Sequence, residues 1–193
     1  MAIVNEKYQD IIDAGKELIW KFGIKKVSIE EICKKAGTSR VTYYKYFPNK
    51  ESLALELLKS EIEKSFIEFD EIMNSPLDFE TKIEKIIQMK LRASKDISLE
   101  LMHDIHDGDF KQLHEYIFRS TTRSIKVISE YFSEAQLKGE IRSDLKIEFI
   151  MYFLDQMQNM IYDEKLESLY NSPNDAIGEI TSFFFYGVIG KKK

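Results

Sequence analysis

An all-α fold is predicted by this sequence on three observations. Apolar residues recur at three- to four-residue intervals from Tyr8 to Val188, the period of an amphipathic helix. No segment sustains the alternation of a half-buried strand. Three prolines and eight glycines interrupt 193 residues, too few for linkers or low-complexity stretches.

The elements follow in order. Tyr8, Ile11, Ile12, Leu18, Ile19 and Phe22 set a helix over 5–22 that ends at Gly23. Ser28 followed by Glu31 has the form of a capping box and opens a helix over 28–36. Gly37 ends it in the left-handed conformation that glycine accepts. Thr38 or Ser39 caps a short helix over 39–46, which stops before Pro48. A long helix runs from Asn49 to Met73 through Leu53, Leu57, Leu58, Ile62, Phe66 and Phe69, and Asn74-Ser75-Pro76 breaks it. Further helices are predicted over 79–94 and 98–106, the second closed by Asp107-Gly108-Asp109. Residues 110–138 form the longest periodic segment, about 44 Å as one straight helix, and Gly139 stops it. Ser143-Asp144 caps a helix through Asp163, and Ser172-Pro173-Asn174-Asp175 introduces the last, Ala176 to Val188. The count is about nine helices.

Composition bounds the function. Hydrophobic residues make up 44% and charged residues 32%, an ordinary globular balance with enough apolar mass for a core. No apolar run approaches the ~18 residues of a membrane span. The first ten residues carry acidic side chains where a secretory signal would need a basic start and an apolar core, and Cys33 has no second cysteine to pair with. These features predict a cytoplasmic protein that does not engage membranes. The net charge of −5 argues against a general nucleic-acid coat. Residues 1–58 nevertheless hold ten Lys and Arg against eight Asp and Glu, net +2, while the remainder holds 18 against 25, net −7. That asymmetry suits a DNA-binding head on an acidic body.

The segment from Val27 to Lys50, VSIEEICKKAGTSRVTYYKYFPNK, reads as helix, glycine turn, then a short polar and aromatic helix, the grammar of a helix-turn-helix whose second helix reads DNA. Arg40 and Thr42 lie near the N-terminus of that helix, where Arg can pair bidentately with guanine and a Thr methyl can meet thymine. Tyr44 and Tyr46 are phenols able to reach phosphates, and Lys50 supplies a phosphate charge. Ser28 offers a backbone N–H and a hydroxyl to a phosphate. The DNA-binding set is Ser28, Thr38, Ser39, Arg40, Thr42, Tyr43, Tyr44, Lys45, Tyr46 and Lys50. Tyr43 and Phe47 also suit the core, the preferred reading for both.

Residues 5–58 resemble the DNA-binding domain of TetR/AcrR-type transcription regulators. The resemblance is carried by Phe22-Gly23, Val27-Ser28-Ile29-Glu30-Glu31-Ile32, Ala36-Gly37-Thr38-Ser39, Thr42-Tyr43-Tyr44-Lys45-Tyr46-Phe47 and Asn49-Lys50-Glu51-Ser52-Leu53. It implies an N-terminal three-helix helix-turn-helix domain, residues 1–48, and a C-terminal helical effector-binding and dimerisation domain, residues 49–193. It also implies that Tyr44 and Lys50 anchor phosphates while Arg40, Thr42 and Lys45 lie near the bases.

The expected function is a ligand-responsive, sequence-specific regulator, a repressor released by a small hydrophobic or amphipathic effector. Its partners would be double-stranded DNA with a palindromic operator, a second copy of the chain and the effector. The dimer interface is expected at Phe149, Phe153, Met160, Phe183, Phe184 and Tyr186. The effector site is expected among Phe66, Met89, Met102, Tyr116, Tyr131, Tyr152 and Met157. No cofactor or metal is expected. His103, His106 and His114 have acidic neighbours, but an exposed polar helix end is the commoner meaning of such a run. An enzyme is disfavoured because no G-x-S-x-G, phosphate-binding glycine loop or C-x-x-C occurs. The competing reading is a helical dimer of the same type acting as a protein-binding adaptor or a non-specific DNA binder.

Overall fold

The computed structural model describes residues 6–107, 109–160 and 163–188. These form ten helical segments with no strand among the described residues: α1 Glu6–Lys26, α2 Ile29–Lys35, α3 Arg40–Tyr46, α4 Lys50–Met73, α5 Phe79–Ser94, α6 Leu99–His106, α7 Lys111–Leu137, α8 Ile147–Met160, α9 Glu164–Glu167 and α10 Pro173–Val188. The four-residue α9 was not expected from the sequence. The other nine correspond to the predicted helices, with ends that move by a few residues.

Local chemistry sets those ends. Ser28 accepts from the Glu31 N–H, and the Glu31 carboxylate accepts from the Ser28 N–H at 2.8 Å, completing the capping box. At the other end of α2, Gly37 has φ +55; the Thr38 N–H reaches the Cys33 carbonyl and the Gly37 N–H that of Lys34, a Schellman motif. Asn49, Asp78 and Ser98 cap α4, α5 and α6 through their side chains. Two expectations are corrected. Ser143 and Asp144 do not cap α8, which starts at Ile147; Asp144 is instead clamped by both guanidinium arms of Arg142, at 2.7 and 2.6 Å. The last helix begins at Pro173 and not at Ala176, because proline fits the first helical position, where no N–H is needed.

Packing divides the chain into two compact units, Met1–Ile62 with Asp96–Ile117, and Glu63–Lys95 with Phe118–Lys193. This division differs from the functional one expected at residue 49, since α4 and α7 contribute turns to both units. In the first, α1 packs on α2, α3 and α6. Ile11, Ile19, Ile24, Ile32, Tyr43, Leu53, Leu101 and Leu113 make its fully buried centre. In the second, α5 packs on α10, with Asn174 Nδ2 donating to the Leu91 carbonyl at 2.7 Å and to Ser94 Oγ at 2.9 Å. Phe132 stacks on Phe184 and meets Phe79 and Phe185 edge-on within that core.

The expected stop at Gly23 is a break inside α1. Gly23 takes φ +80, ψ 169, a conformation open to glycine alone. The break frees the Lys25 N–H, which donates to Asp104 Oδ2 of α6 at 2.9 Å. A Cβ at Gly23 would lie 2.6 Å from that same oxygen. A Cβ at Gly37, by contrast, would meet nothing within 4 Å. Gly37→Ala is therefore expected to cost about 1 kcal/mol, the left-handed penalty alone. Gly23→Ala is expected to cost about 3 kcal/mol or more, because backbone strain and loss of the Asp104 bond combine. Urea unfolding of the two variants checks this; equal costs would rule out the coupling to Asp104.

Candidate nucleic-acid interface

Helix α3 is positioned by its buried residues. Tyr43 is 0% exposed, its hydroxyl donates to the Asn49 carbonyl at 3.3 Å, and burial pushes its pKa well above the ordinary phenol value. Phe47, at the C-cap, is buried against the Tyr8 and Tyr43 rings. These contacts fix which side of α3 is left outward. Arg40, Val41, Tyr44 and Lys45 occupy that side, at the i, i+1, i+4, i+5 spacing of one helical face, and all four are exposed. Neither Arg40 nor Lys45 has an ion-pair partner among the described residues.

The electrostatics of α3 differ from those of its neighbours. The first turns of α1, α2, α4, α5 and α6 each carry an acidic residue, which suits the positive end of the helix dipole. The first turn of α3 carries none, and Arg40 adds a cation there. This arrangement works against helix stability and favours an anion at the helix end. Nearby cations are engaged elsewhere: Lys25 pairs with Asp107 and Asp109, Lys26 with Glu100, and Lys35 with Glu17. The accessible positive charge of the motif is thus concentrated on α3 and on exposed Lys34.

Several expected contacts are placed differently. Tyr43 is core and cannot reach a ligand. Ser28 has both its N–H and its hydroxyl engaged by the Glu31 carboxylate, which these bonds hold below its ordinary pKa, so Ser28 offers neither to a phosphate in this conformation. Thr42 is half-buried, with Oγ1 3.0 Å from Ser39 Oγ, and Ser39 is the N-cap. Tyr46 is half-buried and meets Tyr8 edge-on at 5.6 Å. Thr38 is half-buried in the turn. The Lys50 ammonium donates to the carbonyls of Lys25 and Val27, at 3.1 and 2.5 Å, and burial lowers its pKa. Lys50 therefore braces the link between α1 and α2, with one N–H left to donate. Val41, 71% exposed, was missed; a β-branched apolar residue in the first turn of a reading helix was the available signal.

The expected effector residues are divided between the two units. Met102 and Tyr116 belong to the first unit and the other five to the second. Met89 is buried core, and Tyr152 is 62% exposed. Met157 lines an open apolar hollow of about 190 Å³ with Phe153, Met160, Leu166, Tyr170, Glu179, Ile180 and Phe183. Three of those are expected interface residues. Of the interface set, Phe149, Met160, Phe183 and Tyr186 are exposed and Phe153 is half-buried, whereas Phe184 is 3% exposed and belongs to the chain's own core. The run of His103 and His106 surrounds Asp104, which is buried against α1; the described residues contain no group of three His, Cys, Asp or Glu suited to a metal ion. Cys33 is buried, and desolvation raises its thiol pKa. No described helix is long and apolar enough to cross a membrane.

Comparison with known proteins agrees with this geometry. Residues 11–57 match the family model described as bacterial regulatory proteins, tetR family. The fatty acid metabolism regulator protein of Bacillus subtilis is 23% identical over 144 residues, 73% of this chain and 74% of that protein. The HTH-type transcriptional repressor KstR2 of Rhodococcus jostii is 22% identical over 153 residues, 75% and 72% of the two chains. The fatty acid degradation regulator FadR from Bacillus halodurans shares the fold, with a TM-score of 0.72 at 19% identity over 94% of this chain and 95% of that one.

Substitutions separate the packing side of α3 from its outward side. Tyr43→Phe is expected to lower stability by about 1 kcal/mol, one hydrogen bond, without changing affinity for DNA. Arg40→Ala is expected to weaken binding to a selected site by about 1–3 kcal/mol at unchanged melting temperature. Thermal unfolding and fluorescence anisotropy on the same preparations check both; an Arg40→Ala variant that binds normally would remove α3 as the reader.

Proposed function

We propose that the chain, whose residues 11–57 match the tetR family of bacterial regulatory proteins, is a ligand-responsive, sequence-specific transcription repressor in the cytoplasm. One observation carries the reading: α3 turns Arg40, Val41, Tyr44 and Lys45 outward together while Tyr43 and Phe47 lock its other side. An exposed cation, a phenol and a methyl-bearing side chain on one short helix provide base contact and phosphate contact at once. Nothing in the packing of the first unit requires them there.

The chain acts as a homodimer on a palindromic operator. A seven-residue reading helix spans too few base pairs to specify a site alone, and a two-fold dimer sets two such helices about 34–36 Å apart, one turn of DNA. Supporting the dimer, Phe149, Tyr152, Met160, Phe183 and Tyr186 leave large apolar surfaces exposed on α8 and α10 of the single chain. The effector is a small hydrophobic or amphipathic molecule bound among the C-terminal helices, a class consistent with relatives that regulate fatty acid metabolism. Because α4 contributes to both units, effector binding is linked to operator binding through the position of this helix. The effector releases the operator by favouring one of two arrangements; a ligand with equal affinity for both would shift nothing.

A genome-wide binding selection at physiological salt, comparing the wild type with Tyr44→Ala, tests the reading. A palindromic motif is expected for the wild type, lost in the variant. No motif, or equal recovery by both, would move the adaptor or non-specific reading to the front. Phe183→Glu is expected to shift the protein from dimer to monomer in sedimentation and to abolish palindrome binding; a stable Phe183→Glu dimer would remove α10 from the interface.

A further inference from the structure

Helix α5 carries a cation on its buried face. Lys90 follows Ile87 by three residues, Ile86 by four and Ile83 by seven, so the helical repeat puts all four on one stripe. The three isoleucines are 9%, 1% and 1% exposed. Lys90 and Ala93, one turn further along the same stripe, are nevertheless exposed. The helices around them are also loosely packed, since residues 63–71 of α4 and 118–131 of α7 include no buried residue. Long polar side chains tie these same stretches together. Arg123 bonds Glu63 at 2.9 Å, Tyr131 bonds Asp70 at 3.0 Å, and Arg92, two residues from Lys90, bonds Glu68. Three helices held by polar clamps, with an inward stripe open to water, describe a recess between α4, α5 and α7 of the second unit.

The Lys90 ammonium makes no hydrogen bond or ion pair among the described residues. That is notable where the chain beyond residue 58 holds 25 acidic residues against 18 basic. Burial lowers its pKa below the ordinary lysine value, and no acid lies near enough to oppose the shift. An exposed side chain on an otherwise buried stripe, with enough protein around it to desolvate its ammonium, suits a recess better than a flat surface. An aliphatic residue would serve the stripe better, because an unpaired ammonium there is costly. An oxyanion brought by a ligand would neutralise it with a charge-assisted hydrogen bond. Phe66, under the Arg123 guanidinium, and Tyr131, bonded to Asp70, are aromatic residues of the same clamped stretches.

We propose that Lys90 is the anion anchor of the effector site, and that the effector is an amphiphile whose apolar body lies between α4, α5 and α7 and whose carboxylate or phosphate pairs with the Lys90 ammonium. This rests on the regulator reading above and names the chemistry of its effector. Isothermal titration of the full chain with dodecanoate, dodecyl phosphate and uncharged dodecanol tests it, on the wild type and on Lys90→Met. The wild type is expected to bind at least one of the two anions tenfold or more tighter than dodecanol, and the favoured anion tells carboxylate from phosphate. Lys90→Met is expected to bind all three alike, with a melting temperature no lower than the wild type when ligand-free. Absence of anion preference in the wild type, including no saturable binding, or its persistence in Lys90→Met, would overturn the proposal. So would a lowered melting temperature, which marks a structural cation. Selection of operator sites without ligand reads separately: a motif retained while the anions fail removes the anchor alone, and a missing motif removes the regulator reading.

Discussion

The bond from the Lys25 N–H to the Asp104 carboxylate is the contact on which the first unit turns. Gly23 breaks α1, and a break in a buried helix leaves backbone groups that must find partners. The donors go to α6, through Asp104, while Lys25 and Lys26 send their ammonium groups to Asp107, Asp109 and Glu100. The acceptors go elsewhere: the Trp20 carbonyl takes the Ser98 N–H, and Lys50 of α4 takes the carbonyls of Lys25 and Val27. The link from Ile24 to Ser28 is therefore held from both sides before the capping box starts α2. The direction of α2, and through the Gly37 turn that of α3, follows from this arrangement.

Helix existence and most helix ends were legible because their causes are local. Ser28 with Glu31, Gly37 with the carbonyls behind it, and Asn49 before α4 act within a few residues, so spacing reveals them. What could not be read from spacing was where polar groups would find tertiary partners. Asp104 looked like part of an exposed acidic and histidine run because Gly23, its reason for burial, lies 81 positions earlier. Ser28 and Lys50 were assigned to phosphates by residue type, yet each has nearer partners within the protein. The outward face of α3 was half legible: Arg40, Tyr44 and Lys45 were named, but Thr42 turns to the cap and Val41 takes its place.

Residue type was least informative in the C-terminal half. Phe183, Phe184 and Phe185 are identical in chemistry and adjacent in sequence, but are 75%, 3% and 6% exposed. Only the rotation of α10 against α5 and α8 sorts them, since a helix advances about 100° per residue. The helical repeat likewise separates Tyr152, turned outward, from Met157, turned inward on α8. A lysine on the inward stripe of α5 escaped notice for the converse reason, because a charge in a 32% charged chain attracts no attention until its surroundings are known.

The placement of Asp104 also bears on how the protein is made. A DNA-binding head complete within its first 48 residues would close as soon as it left the ribosome, with contacts short in sequence. Here Leu101 and Leu113 belong to the same buried cluster as Ile11 and Leu53. Closure of that core waits for a segment synthesised about fifty residues later and pays the loop entropy of bringing it back. Until then the faces of α1 and α4 that it covers are open to water. Helix α3 thus gains its fixed aim late, from a part of the chain that lies well outside the helix-turn-helix segment.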